Sequence, residues 1–202
     1  MGGCAVRAYA TWIGIAVLCL IVYLAGDGIA AIFQFDRDAI TRGEYWRLLT
    51  SHVTHLSFAH LTLNLLALAL CTYVANPKHA VAYILAMWLW LMVFTGVGLY
   101  CYALDLNYYV GLSGALHGAL LIAIVPSPYY SRFIRVLVVI VILGKVMWEQ
   151  TSFYNDMGNA ELIGGRTEAR SHMLGAIAGL IWVLGYGCWK VYEQRKQPLE
   201  DE

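Results

Sequence analysis

Gly111-Leu112-Ser113-Gly114-Ala115-Leu116-His117-Gly118 decides the reading of this chain. The octapeptide sets a hydroxyl between glycines at the head of an apolar stretch that ends at Pro126-Ser127-Pro128. Taken alone, Ser113 reads as a helix cap or as a hydroxyl bonded back to its own helix. A second stretch, His172-Met173-Leu174-Gly175-Ala176-Ile177-Ala178-Gly179, offers it a buried base and a matching run of small residues. The two together point to a serine hydrolase working inside a bilayer.

Composition supports the bilayer. The 202 residues are 60% hydrophobic and 13% charged, with a mean hydropathy of +0.64 that a soluble domain of this length rarely reaches. Formal charge is balanced, so no basic surface argues for nucleic acid. Cys4, Cys19, Cys71, Cys101 and Cys188 are scattered, without the paired spacing that holds zinc, and read as small core residues. Neither a metal nor an organic cofactor is expected.

Apolar runs near 9–24, 58–74, 79–100, 113–125, 133–148 and 172–189 predict six transmembrane helices in a single membrane domain spanning 1–202, with 190–202 a short cytoplasmic tail. The fold class is an all-α polytopic bundle. Met1–Leu24 lacks a clear small-x-small cleavage site and is kept as the first helix. The fourth run is short, so Ser113 is expected below the membrane surface, where irregular backbone persists only beside a cavity or inside protein. Placing both termini inside assigns seven Lys and Arg residues to the cytoplasm and six to the outer side, a narrow vote for N-in, C-in.

Chemistry on a peptide bond requires a nucleophile, a base and donors aimed at the developing oxyanion. Ser113 at a helix start contributes a hydroxyl and a backbone N–H left unpaired by the first turn. Gly114 and Gly118 form a small face on one helix, Gly175 and Gly179 on another, the pattern that lets membrane helices approach backbone to backbone. These faces are predicted to meet and bring His172 to Ser113. His60 and Asn64, four residues apart, project from one face of the second helix as oxyanion donors. No carboxylate is evident as a third member, so the pair is read as a dyad.

In order along the chain, Glu44-Tyr45-Trp46-Arg47, His55, His60-x-x-x-Asn64, Gly111-x-Ser113-Gly114 and His172-x-x-Gly175 resemble the rhomboid family of intramembrane serine proteases, over nearly the whole six-helix core. The resemblance implies that Ser113 is the nucleophile and His172 the base, while His60, Asn64 and the Ser113 N–H form the oxyanion hole. It makes Trp46 and Arg47 scaffold in the first external loop. Many rhomboids carry an aromatic residue four positions after the serine, stacked on the catalytic histidine; here that position is His117. Gly-Leu-Ser-Gly-x-Leu-His-Gly in a compact chain looks like the rhombosortases, bacterial relatives that process proteins ending in Gly-Gly, one transmembrane helix and a basic tail. That resemblance implies single-pass membrane substrates, residence among lipid in the bacterial inner membrane, and an active site opening towards the periplasm.

Other readings remain at this level. His52 and His55 are expected near the interface as structural donors, and His117 in a stacking or polar-network role. Tyr108 and Tyr109 either line the approach to the site or belong to an interface belt. The polar, glycine-rich loop over 151–170 is a lid or an ordinary connector. A catalytically silent relative would usually have lost Ser or His. A haem protein would need repeated, well-spaced histidine pairs, and a transporter two related halves. An amine in place of water at the acyl-enzyme would turn hydrolysis into transpeptidation.

Overall fold

Apolar stretches of this length become helices because backbone in hydrocarbon has only itself to bond with. The computed structural model describes residues 2–196, with side chains for 5–189. The helices are α1 (Gly2–Leu24), α2 (Asp27–Phe33), α3 (Arg37–Thr41), α4 (Arg47–Thr50), α5 (Phe58–Val74), α6 (Val81–Tyr102), α7 (Ser113–Ile124), α8 (Arg132–Glu149), α9 (Met157–Ile163) and α10 (Ala169–Lys196). A 3-10 turn, Ser51–Val53, follows α4, and two short strands, β1 (Phe35–Asp36) and β2 (Tyr108–Tyr109), pair antiparallel with Phe35 opposite Tyr109.

Among the described residues, three helices are long and apolar enough to cross a bilayer: Ala5–Leu24, Val81–Tyr102 and Ala169–Trp189. Helix α5 joins them only with Arg47–Val53, across a 91° bend. The remaining two predicted spans are helical but differ in kind. Helix α7 has 12 residues, about 18 Å at 1.5 Å each, well short of a hydrocarbon core of roughly 30 Å. Helix α8 is long enough but carries Arg132, Arg135, Lys145 and Glu149.

Boundaries also move. Helix α1 begins at Gly2 rather than near 9, and α6 starts at Val81 because the turn after Pro77 runs through Ala80. Helix α10 continues through Lys196, so the expected tail opens as helix, and 197–202 lie outside the described residues. Among the described side chains, Cys19 and Cys71 are buried, whereas Cys101 and Cys188 are exposed and are not core residues; Cys4 lies outside the described side chains.

Helix α7 is the hub. Nine of its 12 residues are buried, enclosed by α5, α6, α8 and α10. Its contact with α10 is made by glycine. A Cβ on Gly114 would meet the Ser171 carbonyl at 2.8 Å, one on Gly179 would meet that of Gly118 at 2.6 Å, and one on Gly175 would overlap the Gly114 carbonyl. Backbone therefore lies on backbone over about two turns, which only Gly permits.

Two arginines, Arg47 buried and Arg37 partly buried, hold the loops that frame the site. Arg37 donates to the carbonyls of Leu99, Tyr100, Ala103 and Leu106, tying the end of α6 to the turn that follows it. Arg47 donates to Ala31 and Gln34 carbonyls at 2.7 and 2.9 Å and pairs with Glu44 at 2.7 Å. Trp46 is half exposed, its indole N–H directed at the Ile32 carbonyl at 3.4 Å. Both residues thus brace the first loop. The Gly111 N–H donates to the Ser51 carbonyl at 2.9 Å and ties the segment before α7 to the turn before α5.

Candidate active site

Ser113 is the first residue of α7, and no side chain caps that helix end. The N–H groups of its first turn therefore point free of helical partners, at the positive end of the helix dipole. The chain reaches this start through Gly111, whose φ of +122° lies in the left-handed region. A side chain there would also strike the His60 ring at 2.8 Å. Glycine at 111 is required twice over, by conformation and by space.

The glycine contact carries His172 to Ser113. The Ser113 hydroxyl lies 3.0 Å from His172 Nε2. On the other side of the ring, Nδ1–H donates to Glu149 Oε2 at 2.7 Å. A carboxylate can only accept, so the proton belongs on Nδ1 and Nε2 is left to accept the serine proton. Sequence reading finds no third carboxylate, yet Glu149 at the end of α8 stands in that position, and its side chain is only 4% exposed.

His117 stacks on His172, ring centroids 4.3 Å apart at 27°. Its Nδ1–H donates to the Ser113 carbonyl at 2.7 Å, and its Nε2 accepts from the Lys145 ammonium at 3.1 Å. Lys145 also donates to Glu149 Oε1 at 2.6 Å. One network of hydrogen bonds thus connects α7, α8 and α10, with Lys145 donating in two directions and Glu149 accepting from two sides.

Helix α5 contributes the opposite wall. The Leu56 N–H points to His60 Nδ1 at 3.4 Å, leaving Nε2 as the ring's donor on the side of Gly111. Asn64 spends one amide hydrogen on the His60 carbonyl at 2.9 Å and keeps the other. Its Oδ1 is buried without a hydrogen-bond partner. His55 lies edge-on to His60, ring centroids 5.1 Å apart, and both its ring nitrogens are buried without hydrogen-bond partners. His52 bonds the Met92 carbonyl at 2.9 Å and packs on Tyr109, away from Ser113. Tyr109 is buried and donates to the Gly111 carbonyl at 2.7 Å, a role in shaping the loop that adjacency to Gly111 alone does not reveal.

Ser113, His172, His60, Asn64, His117 and Glu149 all line one cavity of about 1170 Å³, with α5 on one side and α8 on the other. The loop over 150–169 lines its outer part. That loop is anchored to α5 by the Ser57 hydroxyl, which donates to the Ile163 carbonyl at 2.8 Å. At the cavity rim Arg170 holds both Asp105 and Glu168, and its guanidinium holds the exposed Asp105 carboxyl below the usual carboxylate range.

His117, Glu149 and His172 offer donor atoms within 4.8 Å of one another, close enough to hold a metal ion. The Lys145 ammonium sits on two of those three residues. A fixed cation at that point opposes a second one.

Ser–His–Glu hydrogen bonding, a helix start at the serine and a cavity that all of these residues line are the parts that acyl-transfer chemistry requires. No curated protein matches the chain. Residues 42–188, which contain every one of these groups, match the family model described as Rhomboid domain, and the chain therefore belongs to the rhomboid family, membrane proteins whose domain implies intramembrane serine protease activity on transmembrane substrates.

Proposed function

We propose that this protein is an intramembrane endopeptidase of rhombosortase type, cleaving single-span proteins that end in Gly-Gly, a transmembrane helix and a basic tail. The observation that carries the catalytic part is the 3.0 Å hydrogen bond between Ser113 and His172 within the cavity. The octapeptide around Ser113 carries the substrate class.

A substrate helix reaches the cavity from the bilayer and unwinds at its small residues, since an amide must be extended before a nucleophile can approach it. His172 Nε2 takes the Ser113 proton as Oγ bonds to the carbonyl carbon, and the carbonyl electron pair moves onto oxygen. The Ser113 N–H, the remaining Asn64 amide hydrogen and His60 Nε2–H stabilise that oxyanion. His172 then protonates the leaving amine, and water activated by the same imidazole hydrolyses the acyl-enzyme. Gly-Gly suits such a site because its backbone unwinds without loss of side-chain packing. The protein sits in the bacterial inner membrane with N- and C-termini inside and the cavity open to the periplasm.

Co-expression with a reporter bearing Gly-Gly, a transmembrane helix and a basic tail tests this reading. Wild type is expected to cleave it, and Ser113→Ala and His172→Ala to lose at least about 10³-fold in rate. Intact reporter beside folded, inserted wild type would remove the substrate class. Failure of a serine-reactive phosphonate to label Ser113 would remove the protease.

A further inference from the structure

Resting on the protease reading above, we infer that Glu149 is a positioning residue for His172, making the site a Ser113–His172–Glu149 triad that is complete only while α8 is docked. The placement of this carboxylate is the first argument. Glu149 is the last residue of α8, where the helix dipole is negative and an anion is disfavoured. Lys145, four residues before it, is the less favourable order for a helical ion pair. The Glu149 side chain is 4% exposed, and a buried carboxylate persists only when its oxygens are bonded. Local helix energetics therefore oppose Glu149, and its two partners offset that cost: Oε1 accepts from Lys145 at 2.6 Å and Oε2 from His172 Nδ1–H at 2.7 Å.

What the carboxylate does to the ring is the second argument. Ser113 can transfer a proton only to an unprotonated Nε2 facing it. Glu149 supplies both conditions, fixing the tautomer and the ring plane, and it balances the imidazolium once the proton has moved. His117 covers the ring face by stacking, but a stacked imidazole can still be flipped by about 180° about its Cβ–Cγ bond, which would put carbon where Nε2 faces Ser113. The hydrogen bond at Nδ1 removes that freedom. Lys145 is half exposed to the cavity and keeps Glu149 drawn along α8. Helix α8 packs on α7 and α10 and bounds the cavity opposite α5, so the wall that borders substrate also carries the group that arms the base.

A fluorophosphonate reads the base and nucleophile without any substrate. The Ser113 Oγ–P bond forms, the P–F bond breaks, the proton passes to His172 Nε2 and fluoride leaves. Second-order labelling rates are to be measured in lipid nanodiscs for wild type, Glu149→Gln, Glu149→Asp and Ser113→Ala, with thermal melting of each. Glu149→Gln is expected to melt near wild type and label about 10²-fold more slowly. Glu149→Asp, whose charge is drawn back by one methylene, is expected to fall between them and serves alone if the amide variant does not fold. On the reporter, kcat should fall while KM stays within about twofold, because the carboxylate acts on the proton transfer and not on binding. Wild-type labelling rates in either folded variant would overturn the triad and leave the protease standing. Absence of Ser113 labelling in wild type would overturn both.

Discussion

Ser113 and His172 meet because glycines let their helices meet, and the dependence can be tested one methyl group at a time. Gly175→Ala would place a Cβ on the Gly114 carbonyl, a backbone atom that cannot rotate aside. Helices α7 and α10 would have to part by on the order of an ångström, and the 3.0 Å bond at Ser113 would lengthen with them. The expected outcome is a loss of about 1–3 kcal/mol in stability and at least a tenfold slower phosphonate reaction, read by melting and labelling in the same preparation. Gly185→Ala lies on the same helix with nothing within 4 Å; it should leave labelling unchanged and melting equal or slightly higher, since Ala is the better helix former. These contacts were readable in advance because spacing of small residues is a local signal. Glu149 was not, since it approaches His172 from another helix and only the docking of α8 brings the two together. The four carbonyls collected by Arg37 were hidden for the same reason.

Helix α5 begins at a residue that serves two elements at once. The Ser57 hydroxyl accepts from the His60 N–H at 3.1 Å as the helix cap and donates to the Ile163 carbonyl at the end of α9. Ser57→Ala therefore removes a cap, at about 1 kcal/mol, and frees the loop that lines the outer cavity. Hydrogen exchange should rise over 157–165 as well as at the start of α5. A rise confined to α5 would mean that the loop is held by other contacts, such as the Asp156 carboxylate on the Thr167 N–H at 2.9 Å. The long apolar helices were legible from hydropathy alone. Helices α2, α3, α4 and α9 have seven residues or fewer, too short for a periodic pattern to emerge, and the two-residue strands exist only through pairing between distant segments.

Across the whole molecule, charge gives only a narrow vote on orientation. On the side of the cavity, Arg37 is spent on carbonyls, Arg47 on Glu44 and two carbonyls, and Arg170 on Asp105 and Glu168. These residues are structural pieces of the loops that frame the site. Their presence on that side follows from the fold and carries little topological weight. At the opposite end lie Lys78 in the turn before α6 and Arg132 at the start of α8, in short connections of the kind that do set topology. Under the orientation proposed above, that end is cytoplasmic and the cavity periplasmic. In a variant with all five native cysteines replaced, Gly158→Cys in the outer loop should react with a membrane-impermeant maleimide in intact cells. Lys78→Cys should react only after the membrane is opened. The reverse pattern would turn the molecule over, direct Ser113 to the cytoplasm and exclude every substrate whose Gly-Gly segment lies on the outer face.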